Sequence, residues 1–218
     1  MTPQDLRKIQ SALFQWGRDN YRDYPWRHTQ DPYKIMIAEF LLHRTKADQV
    51  VSVYNSFIQK YPDVFSLARA DFNEIREVTE HLGLHWRSGH FIDAAQYVVE
   101  HHGGIMPRTA DELLEIPGVG TYAAGAILTV CYKKPYPVVD ANIARFINRI
   151  AGLDLSGEIR RKRIVIDISR EIFEMPEPGR FLFALLDFTA NICTARNPQH
   201  SICPLRDICG FYRDYIEK

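Results

Sequence analysis

Apolar residues recur at helical spacing from one end of the chain to the other, in stripes separated by short polar turns. Thr2-Pro3 ahead of Asp5 reads as a helix start, with Leu6, Ile9, Leu13 and Phe14 following on one face. A loop of turn formers, Tyr24-Pro25-Trp26-Arg27-His28-Thr29-Gln30-Asp31-Pro32, leads into an apolar helix over about 33–45. The same periodicity predicts helices over about 47–60, 71–81, 86–102, 109–115, 122–132, 141–152, 158–174, 179–192 and 205–215. Thr109-x-x-Glu112 has the form of a capping box. Alternating strand patterns are scarce, and there is no repeat, low-complexity tract or long linker. The predicted class is all-α.

Composition adds little to this picture but excludes some functions. The 218 residues are 46% hydrophobic and 25% charged, as expected of a globular protein with a real core. No apolar run is long enough to span a bilayer, and the N-terminus has no secretory pattern, so a cytoplasmic protein is expected. Lys+Arg and Asp+Glu both number 27, so a nucleic-acid partner requires basic residues gathered on one face. The densest basic run, Arg160-Arg161-Lys162-Arg163, reads first as a solvated helix face and second as a DNA contact. Of the four cysteines, Cys193, Cys203 and Cys209 cluster near the C-terminus, which in a cytosolic chain points to metal rather than disulfides. Cys131 stands apart among apolar neighbours and reads as a buried thiol.

The turn Pro117-Gly118-Val119-Gly120 lies between two predicted helices. Glycines at 118 and 120 permit special backbone angles and clear the turn's outer surface, which exposes helix-start amides to a phosphate oxygen. A tight connection that binds nothing is the plain alternative. Gly118-x-Gly120-x-x-Ala123 with Asp140 downstream also fits a dinucleotide fingerprint, but that motif needs a preceding strand and further βαβ units. Neither is present in the pattern.

Leu114-x-x-Pro117-Gly118-Val119-Gly120-x-Tyr122-x-Ala124, followed by Val138-Val139-Asp140-Ala141-Asn142-x-x-Arg145, resembles the endonuclease III/MutY superfamily of helix-hairpin-helix DNA glycosylases. Upstream, Tyr24-Pro25-Trp26-Arg27, Asp31-Pro32-Tyr33 and Glu39-Phe40-Leu41-Leu42-His43-Arg44-Thr45 are similar to MutY and more so to the thymine/uracil-DNA mismatch glycosylases. The resemblance implies a catalytic Asp140, with Glu39 and Tyr122 beside it. Tyr122 stands where lyase-type members carry a lysine nucleophile, which implies a hydrolytic enzyme. Breaking an N-glycosidic bond builds positive charge on the sugar, which a carboxylate stabilises, and negative charge on the base, which a proton donor relieves. From local sequence alone, Asp140 is equally a plain helix cap and Glu39 a solvent-facing residue. The same resemblance gives Gly118, Gly120, Asn142, Trp26, His43, Arg44, His85 and Trp86 roles in holding DNA or filling the stack that a flipped base leaves.

Members of the superfamily hold a [4Fe-4S] cluster on cysteines spaced C-x6-C-x2-C-x5-C. Here the frame is Cys193, His200, Cys203 and Cys209, with histidine in the second position. A Cys3His [4Fe-4S] cluster, a zinc site and a lost metal all remain open, and the family favours iron. The resemblance further implies two helical lobes: 22–132, a six-helix lobe ending with the hairpin helix, and 1–21 plus 133–218, carrying the metal. Double-stranded DNA with a mispaired base would lie in the cleft between them. The expected reaction is hydrolytic release of thymine or uracil opposite guanine by a monomer. Adenine excision and catalytically idle mismatch binding are the alternatives.

Overall fold

The computed structural model describes residues 1–43, 45–83 and 88–216. Twelve α-helices and no strand occur among them. They are α1 (Pro3–Asn20), α2 (Pro32–Leu42), α3 (Ala47–Lys60), α4 (Val64–Ala68), α5 (Phe72–Thr79), α6 (Ser88–His102), α7 (Ala110–Glu115), α8 (Thr121–Cys131), α9 (Ala141–Ile150), α10 (Arg163–Phe173), α11 (Pro178–Asn191) and α12 (Gly210–Ile216). None is long and apolar enough to cross a membrane. Polar side chains start many of them: Thr2 and Asp5 form a reciprocal capping box on α1, and Asp31, Asp63, Asp71, Thr109 and Asp140 cap α2, α4, α5, α7 and α9.

The chain divides into two units, one of residues Met1–Arg22 with Lys133–Lys218 and one of Asp23–Tyr132. In the first, α1 lies along α11 and brings Ile9 and Leu13 to full burial. Phe14 meets Phe181, and Trp16 meets Phe188 edge-on at 5.4 Å. Phe146, Phe173, Phe181 and Phe188 are almost wholly buried, and each contributes about 1.5–3 kcal/mol. Arg22 belongs to this unit, its backbone N–H donating to the buried Asp187 carboxylate at 3.0 Å and its guanidinium pairing with the same group.

The second unit is built on α2 and α8. Seven of the eleven α2 residues are buried, and α8 buries an unbroken run from Ala123 to Val130 whose small side chains permit close packing against α2. Phe40, Phe57 and Phe91 form its aromatic centre. Tyr33 donates to the Tyr61 carbonyl at 2.8 Å, which satisfies a hydroxyl that burial would otherwise penalise.

One helix is added and two expected helices divide. The five-residue α4 joins this unit, whose expected number of helices was six. The helix expected over 158–174 is a 3-10 turn, Ile159–Arg161, and then α10, because Lys162 is extended at φ −72°, ψ 133°. The helix expected over 205–215 likewise splits into a 3-10 turn, Arg206–Ile208, and α12.

Candidate functional site

The hairpin lies between α7 and α8. Thr109 caps α7, accepting from the Glu112 amide and donating its hydroxyl to the Glu112 carboxylate. The turn closes when Val119 N–H donates to the Ile116 carbonyl at 3.0 Å, with the Val119 side chain buried beneath. Gly118 has φ +84°, and an added Cβ would stand 3.3 Å from the Phe40 ring and 3.4 Å from His90 Cβ. Both conformation and space therefore demand glycine at this position. Gly120 is different, with φ −92° and nothing within 4 Å of an added Cβ, so the expectation of special angles holds for Gly118 alone. As the N-cap of α8, Gly120 brings no side chain to the first-turn amides, which stand at the positive end of the helix dipole. That arrangement suits an anion.

Tyr122, the second residue of α8, is half-buried. Glu39 is also half-buried, on a helix whose other faces are mostly covered, rather than on an open polar stripe. His43 is the exposed C-cap of α2. Trp26, expected to contact DNA, is only 4% exposed, stacked on Tyr24 at 4.9 Å and edge-on to Tyr54. Its ring packs in the interior of the unit. Arg44, His85 and Trp86 lie outside the described residues.

In the other unit, Asp140 is the half-exposed N-cap of α9. One carboxylate oxygen accepts from Ile143 N–H at 2.6 Å, and the other accepts from Asn142 Nδ2 at 3.0 Å. Asn142 Oδ1 in turn accepts from Arg145 Nη1 at 2.9 Å. Arg145 continues the chain with Nε and Nη2 on the Cys193 carbonyl, at 3.2 and 2.9 Å, and Nη2 on the Thr189 carbonyl at 3.1 Å. Burial pulls the Arg145 pKa below its ordinary value. A continuous hydrogen-bond path thus runs from the Asp140 carboxylate to the backbone of the first cysteine in the metal motif.

Cys193, His200, Cys203 and Cys209 all line one small cavity of about 30 Å³, walled by Phe146, Phe188, Leu205 and Phe211 among others. No group of three or more His, Cys, Asp or Glu close enough to hold a metal ion occurs among the described residues. Donors spread around a cavity fit a polynuclear cluster, in which different irons take different ligands, better than a lone tetrahedral zinc. Burial, then the positive charge of Arg149, lowers the His200 pKa, favouring the neutral imidazole that binds metal. Burial pushes the Cys203 thiol up to about 11 and raises Cys209, with neighbouring sulfurs adding to the effect, so these thiols gain from a cation that takes their charge. Arg149 donates to the Thr194 and Ala195 carbonyls at 2.6 and 3.1 Å and reaches Cys193 Sγ at 3.6 Å. Gly210 meets Gly152 backbone to backbone, where an added Cβ would come within 2.4 Å, and so seats the end of the motif against the turn after α9.

The two arginines went unassigned in the sequence. Their signal was present: Arg145 and Arg149 stand one helical turn apart, three and seven residues past Asn142, on the strongly amphipathic α9.

Residues 37–168 match the model of the HhH-GPD superfamily base excision DNA repair protein, and residues 193–209 match the iron-sulfur binding domain of endonuclease III, His200 included. The chain is 36% identical to a thymine-DNA glycosylase of Aeropyrum pernix, covering 96% of each chain. It is 34% identical to a thymine/uracil-DNA glycosylase of Pyrobaculum aerophilum, over 96% of this chain and 94% of that one. A solved thermostable thymine-DNA glycosylase superposes with a TM-score of 0.89 at 30% identity, over 97% of this chain and 98% of that one. The chain belongs to the HhH-GPD superfamily of base excision DNA repair proteins.

Proposed function

We propose that this protein is a monofunctional DNA glycosylase that hydrolyses the N-glycosidic bond of thymine or uracil mispaired with guanine. The observation that carries the reading is Asp140: a half-exposed carboxylate held at both oxygens at the head of α9, in a chain similar from end to end to thymine and thymine/uracil-DNA glycosylases.

The hairpin around Gly118 and the first-turn amides of α8 hold a backbone phosphate without reading sequence. Extruding a mispaired base costs less than extruding a paired one, which gives selectivity before any bond is broken. Asp140 stabilises the oxocarbenium-like sugar or orients the attacking water. Glu39 donates a proton or hydrogen bond to the departing base. Tyr122, at the lyase position, has no amine with which to form a Schiff base, so the reaction ends at an abasic site. Asn142 positions the Asp140 carboxylate. Cys193, His200, Cys203 and Cys209 hold a [4Fe-4S] cluster, which when bound cross-links the 193–209 loop and supplies one-electron redox chemistry. The enzyme works as a monomer in the cytoplasm.

The test uses labelled duplexes carrying T:G, U:G, A:8-oxoguanine and A:G, incubated with protein and then heated in alkali to cut abasic sites. Breaks at T:G or U:G support the proposal. Breaks confined to adenine pairs assign the protein to adenine excision, and binding without breaks makes it a mismatch binder.

A further inference from the structure

Beyond the residues assigned to the site lies the basic run Arg160-Arg161-Lys162-Arg163. It occupies the 3-10 turn Ile159–Arg161 and the start of α10, and that turn packs against both α9 and α10. α9 is the helix headed by Asp140, and Arg160 lies within electrostatic reach of that carboxylate. α10 is tied to the same place, since Ser169 Oγ donates to the Val138 carbonyl at 3.0 Å, two residues before Asp140.

Charge is gathered here although the chain as a whole is neutral. Residues 158–170 hold five cations and two carboxylates. Those carboxylates are taken: Glu158 forms a two-pronged pair with Arg160 at 2.7 and 3.1 Å, and Asp167 is shared by Arg163 and Arg170. Arg161 and Lys162 are exposed and form no salt bridge among the described residues. Nor does the fold reward their position. Cations at the start of a helix oppose its dipole, so Arg161 and Lys162, just ahead of the first turn of α10 and without an ion pair, cost stability rather than supply it. Two exposed cations with no salt-bridge partner among the described residues match a partner outside the fold, and the polyanion of the proposed function is the matching chemistry.

We infer that Arg161 and Lys162 bind backbone phosphates of the DNA on which Asp140 acts, forming a second anchor in addition to the hairpin. The inference rests on the glycosylase reading for the identity of the polyanion. The two residues position the duplex and do not touch the reacting sugar.

The experiment measures binding of a fully paired labelled duplex by fluorescence anisotropy over a salt series, together with single-turnover base release from a mispaired duplex at saturating protein. Three proteins are compared: wild type, Arg161→Ala/Lys162→Ala, and Arg7→Ala/Lys8→Ala. The last removes the same charge from the exposed face of α1. The first double variant is expected to bind roughly ten- to hundredfold more weakly, with the slope of log affinity against log salt about two units shallower. Its single-turnover rate at saturation should stay within about twofold of wild type. A slope and affinity equal to those of the Arg7/Lys8 control overturn the inference, as does a collapse of the saturated rate with normal melting. Failure of the glycosylase reading is a separate observation: wild type then releases no base from any duplex, whereas the salt slopes still decide the phosphate contact.

Discussion

Under the proposed function Asp140 does two things with one carboxyl group, capping α9 and stabilising the sugar cation, and Asp140→Asn separates them. As a cap, its oxygen accepts from Ile143 N–H at 2.6 Å, and an asparagine carbonyl accepts the same bond with nearly equal effect. The second oxygen accepts from Asn142 Nδ2 at 3.0 Å, and in the variant an amide donor faces that donor. Losing this partly exposed bond costs about 1 kcal/mol, so the variant folds and melts within several degrees of wild type. The chemistry loses far more. At about 4 Å from the developing sugar cation, in the effective dielectric of about 20 suited to a half-exposed site, the charge is worth about 4 kcal/mol. That is roughly a thousandfold in rate. Asp140→Asn should therefore bind a T:G duplex as wild type does while its single-turnover base release falls about a thousandfold, read by alkaline cleavage with a melting curve as the folding control. Asp140→Ala should lose the cap as well, at about 1 kcal/mol. An Asp140→Asn protein that melts normally and releases base within tenfold of wild type would remove the carboxylate from the reaction.

Three other outcomes follow from the geometry. Arg145→Ala removes the bonds to the Cys193 and Thr189 carbonyls and to Asn142, and should cost about 2–3 kcal/mol in thermal unfolding while lowering iron content and slowing base release; Arg145→Lys, lacking the planar fork, should restore only part. Gly118→Ala must hold φ near +84° and press on Phe40, so it should cost about 1–2 kcal/mol by melting and weaken duplex binding by anisotropy; unchanged binding would dissociate the turn from DNA. His200→Cys should keep the visible absorption of the cluster but lower its reduction potential by on the order of 100 mV in voltammetry, whereas an identical potential would show that the imidazole is not a ligand.

Much of this was legible in the chain because strong local signals agreed with the tertiary outcome. Val138-Val139-Asp140 announced a helix start, and α9 begins there because that side chain takes the Ile143 amide. Elsewhere the signal was too short or was overridden. α4 spans five residues, fewer than two turns, so no apolar period develops within it. The 158–174 stretch keeps helical spacing across a residue whose backbone is extended, and periodicity cannot register a single ψ angle. Trp26 has a DNA role only through the resemblance, and its packing between Tyr24 and Tyr54 leaves no trace in the local sequence. Arg145 was readable as a helix residue but not as a link, because its carbonyl partners lie more than forty residues away in sequence.

The unit that contains Asp140 is assembled from both ends of the chain, with α1 laid along α11. On the ribosome, the first helix is made long before the partner that covers Ile9 and Leu13. At roughly 5–20 residues per second, its oily side waits on the order of ten seconds while all of the second unit emerges and has time to fold. During biosynthesis the N-terminal segment is thus the natural client of a holding chaperone. A circular permutant that links α12 to α1 and opens the chain after Arg22 would shorten that wait, so its yield of soluble protein at elevated temperature should rise.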